Sequence, residues 1–157
     1  MKFKERNLEN PAEEQQNKES NNSSFYDDIV NLLCLNCEFN YAIRSLYPNI
    51  DRDTNFNLCK YLGQLERNYD LLIKLSVSLN SKHTLPILTI TKKPAKDNIE
   101  LLKFEEKYYN MLKEIGKNAI EENEFEVLAY LSEIARTFNH YFCTIVHENN
   151  DSRETSS

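Results

Sequence analysis

Few residues in this chain could do chemistry, and they fall into three groups. The first is acidic. At 100° per residue, Glu66 projects onto the apolar face of its helix beside Leu62 and Ile73, with Tyr69 three residues on. Glu105 projects near the middle of another apolar face, between Leu101 and Leu112. A carboxylate on such a face is costly unless it is paired, protonated or bound to a metal. Asn36 falls on a third apolar face, and Glu38 points about 110° away from that stripe. The second group is the pair Cys34 and Cys37, at the Cys-x-x-Cys spacing of metal and redox motifs. They sit in mid-helix rather than at a turn or helix start where a thiolate is stabilised, and read as two ordinary thiols. The third is a basic stretch, Lys82, His83, Lys92, Lys93 and Lys96, suited to an acidic partner, a phosphate or plain solvent. The remaining histidines, His140 and His147, fall on a polar face and at a helix end. No Ser/His/Asp or Cys/His constellation and no glycine-rich phosphate loop is present.

The elements that must position these groups are helical. The chain has 157 residues, two glycines and four prolines, with 40% hydrophobic and 28% charged residues. Few breakers among many helix formers favour an all-α domain. Residues 1–23 are polar and rich in Asn, Gln, Ser and Glu, and read as a disordered tail, as does 149–157. Residues 24–148 read as one bundle domain of four helices. The first runs from about Phe25 to Leu46, stopped by Pro48. The second runs from near Asp53 or Thr54 to about Leu79. The third starts at Asp97 and the fourth at Asn123, each with a Glu three residues on at capping-box spacing.

The connections set the topology. The first and third links are short, whereas "SKHTLPILTITKKPAK" is long and rich in proline and β-branched residues. Sixteen extended residues reach roughly 50 Å at about 3.3 Å each. That exceeds the roughly 39 Å of a 26-residue helix. The expected fold is therefore all-α, a four-helix bundle of two antiparallel helical hairpins joined by a long extended crossover.

The two halves also echo each other. Residues 32–77 laid on 101–146 give eight identities, among them Leu32/Leu101, Phe56/Phe125, Tyr61/Tyr130 and Arg67/Arg136. Apolar character matches at Phe39/Tyr108, Ile43/Leu112 and Leu65/Ile134. A duplicated hairpin and two helix pairs under the same packing rules both account for this.

With Glu66, Tyr69 and Glu105 so placed, the chain resembles the ferritin-like bundles, rubrerythrins and bacterioferritins among them. In that family each hairpin supplies a Glu and a Glu-x-x-His, and six ligands hold two metal ions. The resemblance implies iron or manganese at Glu66 and Glu105. The other half departs from the pattern. At the 69-residue offset Glu66 meets Ala135, Tyr69 meets Phe138, and Glu105 meets Asn36. A ferritin-like shape with a degenerate site is what this leaves.

"YLSEIARTFNHYF" is similar to the last core helix of the anticodon-binding helical domain of arginyl-tRNA synthetases, through Tyr130, Leu131, Glu133, Ile134, Ala135, Phe138, Asn139, Tyr141 and Phe142. "NYAIRSLY" (Asn40 to Tyr47) loosely echoes the start of that domain. This resemblance implies binding of tRNA or of a synthetase. The net charge of −6 speaks against broad nucleic-acid binding.

No apolar run approaches the roughly 18 residues of a membrane span. The N-terminus has no signal-peptide core, so the expected setting is cytoplasmic with reduced thiols. The function expected first is that of a small non-catalytic interaction or adaptor protein with a protein partner, a second copy of the chain included. A degenerate di-metal protein and a tRNA- or synthetase-binding module are the alternatives.

Overall fold

Four helices account for the regular structure: α1 (Pro11–Leu46), α2 (Phe56–Leu79), α3 (Asn98–Glu121) and α4 (Phe125–Phe138). The structure, a computed structural model, describes residues 11–138, with side chains from 25 to 136. Among the described residues there is no strand.

Local chemistry explains both ends of α3. At α3, Asp97 is the N-cap, its side chain accepting from the Glu100 amide at 3.0 Å, as its spacing predicts. Glu100 reaches back to the Lys96 amide at 2.8 Å. Asn123 plays a different part from the expected one. It adopts φ 58° and closes α3, while the Glu124 amide donates to the Ala119 carbonyl. Asn tolerates this left-handed conformation better than most residues, so it serves as a C-terminal stop, and α4 begins at Phe125. α1 is already helical at Pro11, the first described residue, so 11–23 is helical backbone where composition predicts a disordered tail. The Ala, Glu, Gln and Lys of this stretch are good helix formers. The tail at 149–157 lies outside the described residues.

Helix α1 packs on α2 and α3, and α4 packs on α3 and α2. Tyr47, just past α1, donates to Asn98 at the start of α3 at 2.6 Å, so these two helices run antiparallel. Ser78 near the end of α2 donates to Glu126 near the start of α4 at 2.8 Å, which orients that pair likewise. The crossover between α2 and α3 returns along α1. The Thr91 amide donates to Glu38 at 3.0 Å, and the Ala95 amide donates to Ser45 at 3.0 Å. The fold is thus the expected pair of antiparallel hairpins joined by an extended crossover.

The core follows the 69-residue register. Leu32 and Leu101, Phe39 and Tyr108, Leu58 and Val127, and Leu65 and Ile134 are all fully buried. At its centre the Phe39 ring stacks on Phe104 with centroids 5.2 Å apart. Tyr61 and Tyr108 meet Phe39 edge-on at 6.5 and 6.3 Å. Each such aromatic pair adds roughly 0.5–1.5 kcal/mol beyond burial.

Candidate functional site

The polar group most deeply set in the bundle is Asn36. Its Nδ2 donates to the Leu65 carbonyl on α2 at 3.1 Å, and its Oδ1 accepts from the Tyr108 hydroxyl on α3. One amide therefore joins three helices, with both of its ends bonded. Burial holds the Tyr108 phenol well above its ordinary pKa, so it stays a neutral donor. Asn36 was legible as an inward residue; its bond to Tyr108 was not.

Glu66 does not point inward. The buried stripe of α2 is Leu58, Tyr61, Leu62, Leu65, Asn68, Leu72, Leu75 and Ser76. Glu66 follows Leu65 and so turns about 100° off that stripe. Its side chain is 67% exposed and pairs with Arg44 at 3.1 Å. Tyr69 is also exposed. Together with Cys37, Asn40 and Asp70 they rim a shallow depression beside Asn36.

Glu105 is half-buried on α3. One of its carboxylate oxygens, Oε2, is buried and makes no hydrogen bond to any described residue. Desolvation pushes its pKa up to about 7. Glu66 and Glu105 thus meet different fates, one solvated and ion-paired, the other desolvated. Among the described residues no group of three or more His, Cys, Asp or Glu side chains lies close enough to hold a metal ion. The donors among the described residues do not by themselves make up the six-ligand set that the ferritin-like resemblance implies. His140 and His147 lie outside the described residues.

Cys34, Cys37 and Cys59 are free, half-buried thiols. Burial, then Cys34, then Glu38 push the Cys37 thiol up to about 11. A thiol held protonated in this way is a poor nucleophile and metal ligand. Cys143 lies outside the described residues.

The crossover carries the most exposed large apolar side chain among the described residues, Ile87. Leu85 and Ile87 are 71% and 92% exposed, while Pro86, Leu88 and Ile90 are half-buried against the bundle. This is the period-2 alternation of a strand with one face covered. Residues 85–90 make no backbone hydrogen bond among the described residues. His83 stands at its start with φ 53°, its ring nitrogen Nδ1 3.2 Å from the Val77 carbonyl.

Of the residues that carry the resemblance to the anticodon-binding domain, Leu131 and Ile134 are buried packing positions. Tyr130 and Ala135 are partly buried against the same core, and Glu133 pairs with Arg136 on the surface. Asn139, Tyr141 and Phe142 lie outside the described residues. No described helix is long and apolar enough to cross a membrane. Set against protein-family models, curated proteins and solved structures, the chain matches none of them.

Proposed function

We propose that this chain is a small, non-catalytic interaction protein that engages a protein partner through its extended crossover. The observation that carries this reading is the outward face of Leu85 and Ile87 on a segment whose backbone polar groups have no ladder partner. An extended peptide of the partner would add beside it, with main-chain bonds supplying affinity and Ile87 supplying contact. The segment 84–91 carries no charge and is flanked by Lys82, Lys92 and Lys93. An antiparallel second copy would bring Lys82 opposite Lys93, and like charges facing across strands are unfavourable. A partner strand flanked by carboxylates is the better match. The interior supports a structural rather than a chemical role for its polar groups, since Asn36 and Tyr108 bond to each other.

Ile87→Lys tests this directly, because a residue so exposed can change without disturbing the core. A partner recovered with the wild-type chain should be lost with Ile87→Lys and kept with Thr54→Lys at the far end of the bundle. A partner set unchanged by Ile87→Lys would refute the reading. Sedimentation of the purified chain decides the second-copy alternative: a dimer that Ile87→Lys dissociates would replace the heterologous partner.

A further inference from the structure

A second surface, on the same side of the bundle but separate from Leu85 and Ile87, has the makings of a ligand site. Between α1, the end of the crossover and α3 lies a groove of about 520 Å³. That volume falls within the range of small-molecule sites, roughly 300–1,000 Å³. Three lysines line it: Lys93 from the crossover, and Lys103 and Lys107 from α3. The last two are four residues apart and so share one helix face.

The charge balance in the groove is unusual for an acidic protein. Two carboxylates, Glu38 and Glu100, also line it, and both are already engaged by backbone amides, at Thr91 and Lys96. Neither of the ion pairs Arg44–Glu66 and Arg136–Glu133 involves a lysine of the groove. The three ammonium groups are thus left unpaired around one opening. Apolar atoms of Ala42, Pro94 and Phe104 complete the lining. Phe104 is held by its stack on Phe39, which fixes the ring in place.

We propose that this groove binds a small organic phosphate, with the phosphate among Lys93, Lys103 and Lys107 and an apolar or aromatic body against Phe104 and Pro94. Lysine ammoniums bind phosphate as movable point charges, and a dianion satisfies three of them better than a carboxylate does. The apolar lining distinguishes an organic phosphate from the inorganic ion. The inference does not depend on the crossover partner, and its test uses neither Leu85 nor Ile87.

The probe is phenyl phosphate, titrated into the isotopically labelled full chain and followed by amide resonances, with inorganic phosphate and an acidic hexapeptide as parallel arms. Saturable shifts are expected at Thr91, Lys93, Lys103 and Phe104, weakening with added salt. Lys103→Gln combined with Lys107→Gln should weaken binding about tenfold or more, as loss of charge-assisted bonds does. Both lysines are exposed, and unchanged helicity would verify that the variant is folded. Absence of saturable shifts, or equal affinity in the double variant, would overturn the site. Equal affinity for inorganic phosphate would overturn the organic body. Tighter binding of the hexapeptide than of phenyl phosphate would reassign the groove to a protein partner and overturn the small-ligand reading.

Discussion

Asn36 in the first hairpin and Glu105 in the second occupy equivalent positions, 69 residues apart, yet they live in opposite conditions. Asn36 is bonded at both ends, to the Leu65 carbonyl and the Tyr108 hydroxyl. Glu105 has a buried oxygen that makes no hydrogen bond to a described residue. The register offers a reason. The residue equivalent to Tyr108 is Phe39, which has no hydroxyl to offer. The two halves share an apolar skeleton, but the hydroxyl that meets Asn36 has no counterpart at the position that would meet Glu105. A buried polar group is an asset only when its partners are present.

The largest effect expected from breaking this comparison is on the satisfied side. Asn36→Ala should lower stability by about 2–4 kcal/mol, through a small cavity and the loss of the hydrogen bonds to the Leu65 carbonyl and the Tyr108 hydroxyl. Urea unfolding measures it. A loss under about 0.5 kcal/mol would show that the three-helix junction is dispensable.

The unsatisfied side should respond with the opposite sign. The Glu105 carboxyl takes up its proton more readily in the fold than in the unfolded chain, where its pKa is near the ordinary 4.5. Its contribution is therefore fully favourable below about pH 4.5 and is lost as pH rises through about 7. Glu105→Gln removes that loss. Because half of the side chain meets water, we discount the effect for screening to about 1–2 kcal/mol of stabilisation at pH 8.5. Near pH 4.5 the variant and the wild type should agree. Thermal unfolding across this range is the measurement, and an identical slope in both proteins would contradict it.

The smallest effect belongs to the exposed acid. Glu66→Ala should change stability by less than about 1 kcal/mol, since its pair with Arg44 is solvated. The same variant sharpens the contrast in another way. If the purified chain carried two irons or manganese, and lost them on Glu66→Ala or Glu105→Ala, the ferritin-like alternative would replace the structural account of both residues.

How much of this could be read from residues alone varied with the range of the interaction. Asp97 and Glu100 lie three apart on one turn, and their spacing suffices for the cap. Asn36 sits amid Leu32, Leu33 and Phe39, so its inward placement was plain. The projection puts Glu66 on the wrong face because Tyr69 and Ile73 draw the apolar stripe of α2 toward it. Both are amphipathic or bulky enough to sit at a boundary, and the stripe in fact centres on Leu65, Asn68 and Leu72. The lysine groove was half legible. Lys92, Lys93 and Lys96 stand out as a run, while Lys103 and Lys107 belong to no basic stretch. Only the path of the crossover along α1 brings Lys93 to them, and no local pattern encodes that path.

The crossover has one more effect, on the electric field of the bundle. By carrying the chain back along the C-terminal part of α1 before α3 begins, it lets helices in contact run in opposite directions. Their macrodipoles then oppose one another pair by pair, and neither end of the bundle gathers a large partial charge from its backbone. Long-range attraction of an anion to this protein then falls to its side chains. The three unpaired lysines beside the crossover are placed to supply it.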